Sequence, residues 1–173
     1  MYFKKLNLEF NIPSYEVGKK LDQYGFDINN KFNGLWYSDI KINGELNLIP
    51  ERYKSDFDIS LLEANSFILP HSDSGSTSVI NFYIETNNCA TQFYEVKDDA
   101  KPYQIDNQTN GFVYDLNDLV EKASFIAEPK DIYILDVSKV HSVIPLHDGQ
   151  INRKAICLST NKFKFDELEK IFN

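Results

Sequence analysis

Short apolar runs separated by polar turn residues dominate the chain from residue 58 onward. The runs are rich in β-branched and aromatic residues, and Asn, Gly, Asp or Pro stands between most of them. This composition predicts strands. Seven runs follow the pattern, namely 59–64, 78–85, 91–96, 111–114, 124–127, 131–136 and 153–159. Many short strands at this spacing indicate a mostly β fold, either a sandwich or a barrel.

The two ends of the chain show a different spacing. Residues 13–25 predict a short helix, with Ser14 as its N-cap and Gly25 as its end, because apolar side chains recur there at Val17, Leu21 and Tyr24. Residues 31–55 are rich in Asn, Gly and aromatics and predict short strands and turns that pack on the main sheet. The segment from Phe165 to Phe172 has apolar residues at helical intervals and predicts a closing helix.

A length of 173 residues fits one domain. We divide it into an N-terminal helix with support strands (1–57), a β core (58–160) and a C-terminal helix (161–173). Neither Cys89 nor Cys157 lies in a C-x-x-C pair, so a disulfide framework and a structural zinc site are not expected. Cys157 alternates with polar positions on its strand and is expected in the core.

No targeting or membrane segment is expected. The first residues carry no long apolar run after their lysines, and no apolar stretch approaches the roughly 18 residues that a membrane span needs. We therefore expect a soluble cytoplasmic protein, either a monomer or a homodimer. Lys, Asn and Ile, whose codons are AT-rich, are abundant, which is typical of a marine bacterium or its phage. In the phage case the protein would lie in the host cytoplasm.

The formal net charge of −8 bears on partners. Proteins that bind duplex nucleic acid usually present a basic face, because neutralising phosphates supplies much of their affinity. Here the lysines are scattered and many have acidic neighbours. We therefore do not expect duplex nucleic acid as a partner.

Three histidines are the candidates for metal chemistry. His71 and Asp73 are two residues apart just after an apolar run, and in extended chain such residues point to one face. His141 follows the predicted strand 131–137 and offers a third ligand. Two imidazoles and one carboxylate on one face of Fe(II) leave coordination positions open for a cosubstrate and dioxygen. His147 lies in a turn-like stretch and is expected in a surface loop, as the alternative to His141.

An arginine near the last predicted strand adds a second signal. Only two of the 18 basic side chains are arginines, Arg52 and Arg153. Arg153 comes twelve residues after His141, where a strand is predicted to begin. A guanidinium group binds a carboxylate through two parallel hydrogen bonds, which lysine cannot do. Taken alone, Arg153 also fits an exposed cation at the end of a strand.

Together these motifs resemble the prolyl-hydroxylase-like branch of the iron(II)/2-oxoglutarate-dependent oxygenases. The similarity covers roughly residues 59 to 160. The motifs that carry it are His71-Ser72-Asp73, Asn81-Phe82-Tyr83-Ile84-Glu85, Ala90-Thr91-Gln92-Phe93, Val140-His141-Ser142-Val143 and Arg153. The sequence departs from the family pattern at Cys89-Ala90, where two glycines are usual, and at Ala155, where a serine is common.

The resemblance implies a fold, a reaction and roles for individual residues. The fold would be a double-stranded β-helix, a cupin-like jelly roll with a few flanking helices, and the chain would form a single oxygenase domain. His71, Asp73 and His141 would hold Fe(II), and Arg153, Tyr83 and Asn81 would hold 2-oxoglutarate. Dioxygen and 2-oxoglutarate would be consumed, with release of succinate and CO₂. The metal would lie at the open mouth of the barrel, with Arg153 and Tyr83 deeper inside.

Two alternatives stay open on the sequence. One is a cupin-like metal enzyme that does not use 2-oxoglutarate. The other is a non-catalytic jelly roll with a structural or carbohydrate-binding role, in which the histidines are incidental. The primary substrate is equally open, since a protein side chain of the prolyl type and a small molecule both fit the pattern.

Overall fold

The computed structural model describes residues 1–9, 11–28, 31–43, 49–104 and 111–172, and these residues are mostly β. The strands are β1 (Phe3–Leu6), β2 (Ser14–Ile28), β3 (Lys31–Asn43), β4 (Asp58–Ala64), β5 (Ile68–Asp73), β6 (Ser78–Asn87), β7 (Cys89–Val96), β8 (Gly111–Val113), β9 (Leu119–Phe125), β10 (Ile132–Leu135), β11 (His141–Pro145) and β12 (Asn152–Thr160). Two 3₁₀ helices (Glu51–Asp56 and Leu116–Asp118) and one α-helix, α1 (Phe165–Ile171), complete the described elements.

The strands form two antiparallel sheets. The larger sheet has the order β1-β10-β6-β12-β4-β3-β2, and the smaller has the order β8-β5-β11-β7-β9. From β4 to β7, consecutive strands alternate between the sheets, and they alternate again from β9 to β12. Strands that are neighbours in a sheet are therefore mostly distant in sequence, as in β12, which pairs with both β4 and β6.

One core fills the space between the sheets. It combines residues such as Leu62 and Tyr83 from the larger sheet with Phe93 and Val143 from the smaller one. Inward side chains alternate with outward ones along each strand, which is the period-two rule of extended chain. On β6, for example, the odd-numbered residues from Val79 to Tyr83 face this core.

A second core covers the outer face of the larger sheet. Ile80 and Phe82 of β6 pack there with Phe165 and Leu168 of α1, and each of these four side chains is almost fully buried. The predicted C-terminal helix is thus confirmed, and it has a clear role in burying the outer face. Because both faces of β6 are covered, its first six residues are all buried.

The predicted helix near the N-terminus is wrong. Ser14 begins the long strand β2, which pairs with β3 in an antiparallel hairpin. Val17 and Leu21, the apolar positions that suggested a helix face, are 55% and 47% exposed. Tertiary pairing has overridden a helical spacing, which is common when a partner strand is available. The segment 31–55 is also simpler than expected, since it contains the one strand β3 and a 3₁₀ helix, with residues 44–48 outside the described residues.

Gly25 ends no helix, but it does have a structural role. It lies directly opposite Gly34 in the hairpin, with a φ of 148°. A Cβ atom at this position would lie 2.1 Å from the carbonyl oxygen of Asn33. Glycine is required here because the two strands approach each other too closely for any side chain.

The seven strand runs predicted for the β core agree with the structure, whereas β5 and β11 were not among them. Each of the seven predicted strand runs overlaps an observed strand, and the largest shift is at 124–127, where β9 ends at Phe125. Cys89 and Cys157 are free and buried. No described helix is long and apolar enough to cross a membrane.

Candidate metal centre

His71 and His141 face each other across two neighbouring strands. They are direct partners in the pairing of β5 with β11, and their ring centroids are 4.5 Å apart. Residues that oppose each other in a sheet point to the same face, so both imidazoles project into the space between the sheets. The ring of Phe93, opposite His141 on β7, stacks on it at 5.7 Å. Both rings are therefore held by strands of the smaller sheet.

The backbone fixes which nitrogen of each imidazole is free. His71 Nδ1 lies 2.7 Å from the carbonyl oxygen of Leu69, and His141 Nδ1 lies 2.9 Å from that of Lys139. A carbonyl oxygen can only accept, so each Nδ1 carries a proton and donates it. In a neutral ring this leaves the Nε2 lone pair free, and metal-binding histidines are commonly oriented by such a bond.

Asp73 completes the cluster from the end of β5. One of its carboxylate oxygens lies 3.4 Å from His71 Nε2. Its backbone N–H donates to the carbonyl oxygen of Val137, which ties β5 to the segment before β11. One ligand atom from each of His71, Asp73 and His141 lies within 4.8 Å of the others. Two imidazole nitrogens and one carboxylate oxygen at these distances suit a divalent transition metal.

The two histidines have shifted pKa values in opposite directions. Burial by itself lowers the pKa of His71, but the hydrogen bond and negative charge of Asp73 more than offset this, and the net pKa is raised above 6.5. Burial, with a smaller contribution from His71, lowers the pKa of His141 to about 4. His141 is thus neutral at pH 7, as a ligand must be.

A close approach of backbone holds the end of β5 in place. Gly111 of β8 is the pairing partner of Asp73 and has a φ of 154°. A Cβ atom at Gly111 would lie 1.8 Å from the carbonyl oxygen of Ser72. Glycine at this position allows β8 to lie directly against the residues that precede and include Asp73.

Arg153 is buried beside the cluster with part of its hydrogen-bonding capacity unused. It is 4% exposed, and its Nη1 donates to Thr91 Oγ1 at 2.7 Å. Its Nε and Nη2 have no partner in the described residues, and no carboxylate there forms an ion pair with it. Arg153 is therefore no exposed strand-end cation. It is a buried charge with two free donors.

A cavity connects Arg153 with the histidines. Its lining includes His71, Asp73, His141, Thr91 and Arg153, together with apolar side chains of both sheets. Asn81 also lines it, and its Oδ1 is buried without a partner. The residues singled out in the sequence for metal and for cosubstrate thus share one cavity wall, with the exception of Tyr83.

Tyr83 lies behind this wall. Its ring packs against the Arg153 guanidinium, with Cζ 5.4 Å from the ring centroid, and its hydroxyl accepts from Asn81 Nδ2 at 3.5 Å. Tyr83 is fully buried and is absent from the described lining of the cavity. In this arrangement it supports Arg153 and Asn81 from the side away from the cavity.

His147 lies apart from the cluster. It is exposed in the turn that follows β11, at the opposite end of that strand from His141, and its backbone N–H donates to Asn88 Oδ1. It does not belong to the group of side chains that could share one metal ion. The expected surface position of His147 is confirmed.

Two residues of the cavity wall were not singled out by the sequence as site residues. Thr91 was noted only as part of a motif, although its hydroxyl accepts from the Arg153 guanidinium. Tyr37 comes from β3, in a region without a recognisable motif, and lines the cavity next to Asp73. The alternation of side chains along β3 places Leu35, Tyr37 and Asp39 on one face of the strand. The sequence does not indicate whether that face points to the cavity or to solvent.

The sequence matches no protein-family model and no curated protein. The geometry of the cluster and of its cavity is therefore the basis for assigning a function.

Proposed function

We propose that the chain is an Fe(II)- and 2-oxoglutarate-dependent dioxygenase that hydroxylates a protein side chain, prolyl in type, or a small molecule. His71, Asp73 and His141 bind the iron, and Arg153 binds the carboxylate of 2-oxoglutarate that is distal to the metal. The bound metal and cosubstrate supply the oxidising chemistry, in which one oxygen atom of O₂ enters the substrate, the other enters succinate, and CO₂ leaves.

The unpaired guanidinium of Arg153 is the observation that carries this proposal. A buried charge without a counter-ion costs several kcal/mol. Its free Nε and Nη2 are neighbouring donors, which is the geometry that binds a carboxylate through two hydrogen bonds. An anion arriving in the cavity would remove the cost. A cupin-like enzyme that uses no anionic cosubstrate would leave this charge unexplained.

The donor set of the cluster supports iron(II). Two imidazoles and one carboxylate form the facial arrangement of non-haem iron oxygenases, with the remaining positions open. Each imidazole is held by a backbone carbonyl and presents Nε2. Arg153 lies in the same cavity, so a dicarboxylate could reach the metal with one end and the guanidinium with the other.

The strand order supports a double-stranded β-helix. Four strands of the larger sheet (β10, β6, β12 and β4) and four of the smaller (β5, β11, β7 and β9) have the interleaved order of an eight-stranded jelly roll. In this arrangement His71 and Asp73 lie on the second strand, His141 on the seventh and Arg153 on the eighth. The strands β1, β2 and β3 extend the larger sheet.

Within the proposed mechanism the protein orients the reactants and excludes water. Thr91 holds the guanidinium through Nη1 and leaves its other donors for the ligand. Tyr83 packs behind Arg153 and limits its movement. The apolar lining, which includes Leu62, Val79 and Val143, lowers the local dielectric and strengthens the interaction between Arg153 and a carboxylate.

Titration calorimetry with Mn(II), followed by 2-oxoglutarate, tests the proposal. We expect Mn(II) to bind the wild-type protein and 2-oxoglutarate to bind the Mn(II)-loaded form. Asp73→Ala should lower the affinity for Mn(II) at least tenfold, because it removes a charged ligand. Asp148→Ala, in the exposed turn after β11, should leave this affinity unchanged. A folded Asp73→Ala protein with wild-type affinity, or a metal-loaded wild type that does not bind 2-oxoglutarate, would overturn the proposal.

A second measurement separates a ligand-binding role of Arg153 from a structural one. If its charge is kept for a ligand, Arg153→Met should raise the free energy of unfolding of the metal-free protein by about 1 kcal/mol or more, since the desolvated cation is lost. The variant should also lose the stabilisation that 2-oxoglutarate gives the Mn(II)-loaded wild type. A clear loss of stability in Arg153→Met without ligands would indicate a structural role.

A further inference from the structure

A second and larger cavity adjoins the candidate metal centre. Its volume is about 560 Å³, and it shares Tyr37, Asp73 and Val79 with the lining of the cavity that holds Arg153. Its other walls come mainly from the hairpin β2–β3 and from the ends of β4 and β12. One side of Asp73 thus faces the cavity with Arg153, and the other faces this second space.

The two cavities follow one another along the inner face of the larger sheet. Every second residue of β4 faces inward, and in the register of the sheet Ala64 lies opposite Arg153, whereas Asp58 lies opposite Ser159. On β3 the same face passes from Leu35 in the first cavity to Asp39 in the second. The inner face therefore changes from a cationic end to an acidic end, with the metal ligands beside the boundary.

The acidic end carries three carboxylates that form no ion pair within the described residues. Asp22, Asp39 and Asp58 line the second cavity in addition to Asp73, and no lysine, arginine or histidine is among its described lining residues. Tyr24 and Tyr37 form part of the same wall, and the Tyr24 hydroxyl is hydrogen-bonded to Asp22.

The occupant of the second cavity follows from that of the first. The unpaired donors of Arg153 favour binding of an anion in the first cavity. The second cavity is then the space beside Asp73 that is open to the primary substrate. Carboxylates at a concave surface attract cations and raise their local concentration. Tyrosine faces bind ammonium and guanidinium groups as well.

We propose that the primary substrate binds in this second cavity and carries a cationic nitrogen, an ammonium or guanidinium group, that Asp22 and Asp39 recognise. This inference rests on the proposed function, and it narrows the substrate to an amine or guanidine compound, whether free or as the side chain of a peptide. The hairpin β2–β3 supplies the carboxylates that recognise the substrate, and the jelly-roll strands supply the metal ligands.

The register also indicates which carbon reacts. Tyr37 borders both cavities, and Asp39 lies two residues further along the same face of β3, about 7 Å away at the usual rise of extended chain. A substrate whose cation reaches Asp39 would therefore present to the metal a carbon several bonds from its charged nitrogen. Hydroxylation at a distant methylene is expected rather than at the carbon that bears the nitrogen.

Binding to the Mn(II)- and 2-oxoglutarate-loaded wild type tests the inference under conditions without turnover. The probes are lysine and arginine, each compared with an analogue of similar shape whose side chain is uncharged, norleucine and citrulline. We expect each cation to bind at least tenfold more tightly than its neutral partner, and the difference to shrink at high salt because the charges are exposed. The Nα-acetyl amides of the same four compounds show whether the free amino acid or the peptide-like form is preferred.

Variants of the hairpin locate the discrimination. Asp22→Asn and Asp39→Asn should each reduce the preference for cation over neutral analogue by about tenfold or more. Asp148→Asn removes the same charge from the exposed turn after β11 and should leave the preference unchanged. A preference that falls equally in Asp148→Asn would reflect net charge alone and would overturn the assignment to the hairpin.

The two levels of the proposal fail in different ways. If Mn(II) or 2-oxoglutarate does not bind, the proposed function is wrong. If both bind but norleucine and citrulline bind as well as lysine and arginine, in free and amide form, the function stands and the cationic substrate is wrong. The wild-type comparison needs no variant, so misfolding of Asp22→Asn or Asp39→Asn would not prevent this decision.

Discussion

The strands β4 to β12 and the hairpin β2–β3 hold the residues of the proposed site in different ways. His71, His141 and Arg153 are nearly inaccessible to solvent, and each is held by a hydrogen bond to a backbone carbonyl or to a buried hydroxyl. Asp22 and Asp39 of the hairpin are exposed and lie where β3 pairs with both β2 and β4.

In the proposed function, this difference separates metal and cosubstrate binding from substrate recognition. A metal ion requires ligands fixed to within a fraction of an ångström, which short strands paired on both sides provide. Recognition of a cation by exposed carboxylates tolerates movement, and such surface residues can change with little cost to stability. We therefore expect changes in the jelly-roll strands to affect metal, cosubstrate and stability, and changes in the hairpin to affect substrate preference.

The largest effect is expected from removal of a metal ligand. His141→Ala should weaken Mn(II) by on the order of 100-fold or more, since loss of even an outer partner of a ligand costs about 10–100-fold. His147→Ala and Leu21→Ala, which change the exposed turn and the hairpin, should leave the affinity near that of the wild type. Calorimetry of the three variants is the measurement. If His147→Ala lowered the affinity for Mn(II) and His141→Ala did not, His147 would be the third ligand in place of His141.

The next effect concerns the cosubstrate. Arg153→Ala should weaken 2-oxoglutarate about 10- to 150-fold, because a charge-assisted hydrogen-bonded pair contributes roughly 1.5–3 kcal/mol. Mn(II) affinity should change much less, and Arg153→Lys should recover only part of the loss because it offers no planar fork. Unchanged 2-oxoglutarate affinity in Arg153→Ala, measured on the Mn(II)-loaded protein, would shift the role to another cation such as Arg52.

A glycine at the end of β5 tests how rigidly the jelly-roll side is built. Gly111→Ala should lower the free energy of unfolding by about 2 kcal/mol or more, because its Cβ atom would meet the Ser72 carbonyl oxygen at 1.8 Å. Gly149→Ala is the matched control, since Gly149 also has a positive φ, 130°, but its nearest neighbour would be 3.6 Å away. Urea unfolding should show the larger loss of unfolding free energy for Gly111→Ala. Equal losses in the two variants would show that backbone strain, and not the close contact with Ser72, destabilises them.

The smallest effect is a dependence of stability on alkaline pH. Burial, with a further contribution from the charge of Asp73, raises the pKa of Cys157 to about 12 from 9.0. The unfolded chain therefore loses this proton first, and the stability that the neutral thiol contributes is complete below pH 9 and declines between pH 9 and about 12. At pH 10 the loss relative to pH 8 should be about 1.4 kcal/mol.

Urea unfolding at pH 8 and pH 10 measures this loss. Cys157→Ala should flatten the dependence whatever its effect on stability at pH 8. Tyr24→Phe in the hairpin provides the comparison, because burial raises the pKa of Tyr24 to about 12 as well, but its side chain is only partly buried. Tyr24→Phe should flatten the slope less than Cys157→Ala. An unchanged slope in Cys157→Ala would show that its thiol does not couple to unfolding.

The local pattern of the sequence was sufficient for seven of the nine strands from β4 to β12 and for α1, but it did not single out β5 or β11, which carry the three candidate metal ligands. In these segments the composition and the tertiary environment agree, because each run has a neighbouring strand or a sheet face to cover. The hairpin β2–β3 is the exception. Residues 13–25 carry apolar side chains at helical spacing, but the long pairing with β3 satisfies their backbone groups instead. Where a sequence pattern is compatible with both a helix and a strand, the presence of a pairing strand decides which one forms.

The sequence by itself determined which residue types were available for chemistry. It contains three histidines, two arginines and one His-x-Asp motif, and the period of extended chain put His71 and Asp73 on one face. Only the tertiary structure decided that His141 lies opposite His71, that Arg153 is buried without a counter-ion, and that Tyr83 lies behind the cavity wall. These facts depend on pairing between strands distant in sequence, which local periodicity does not encode.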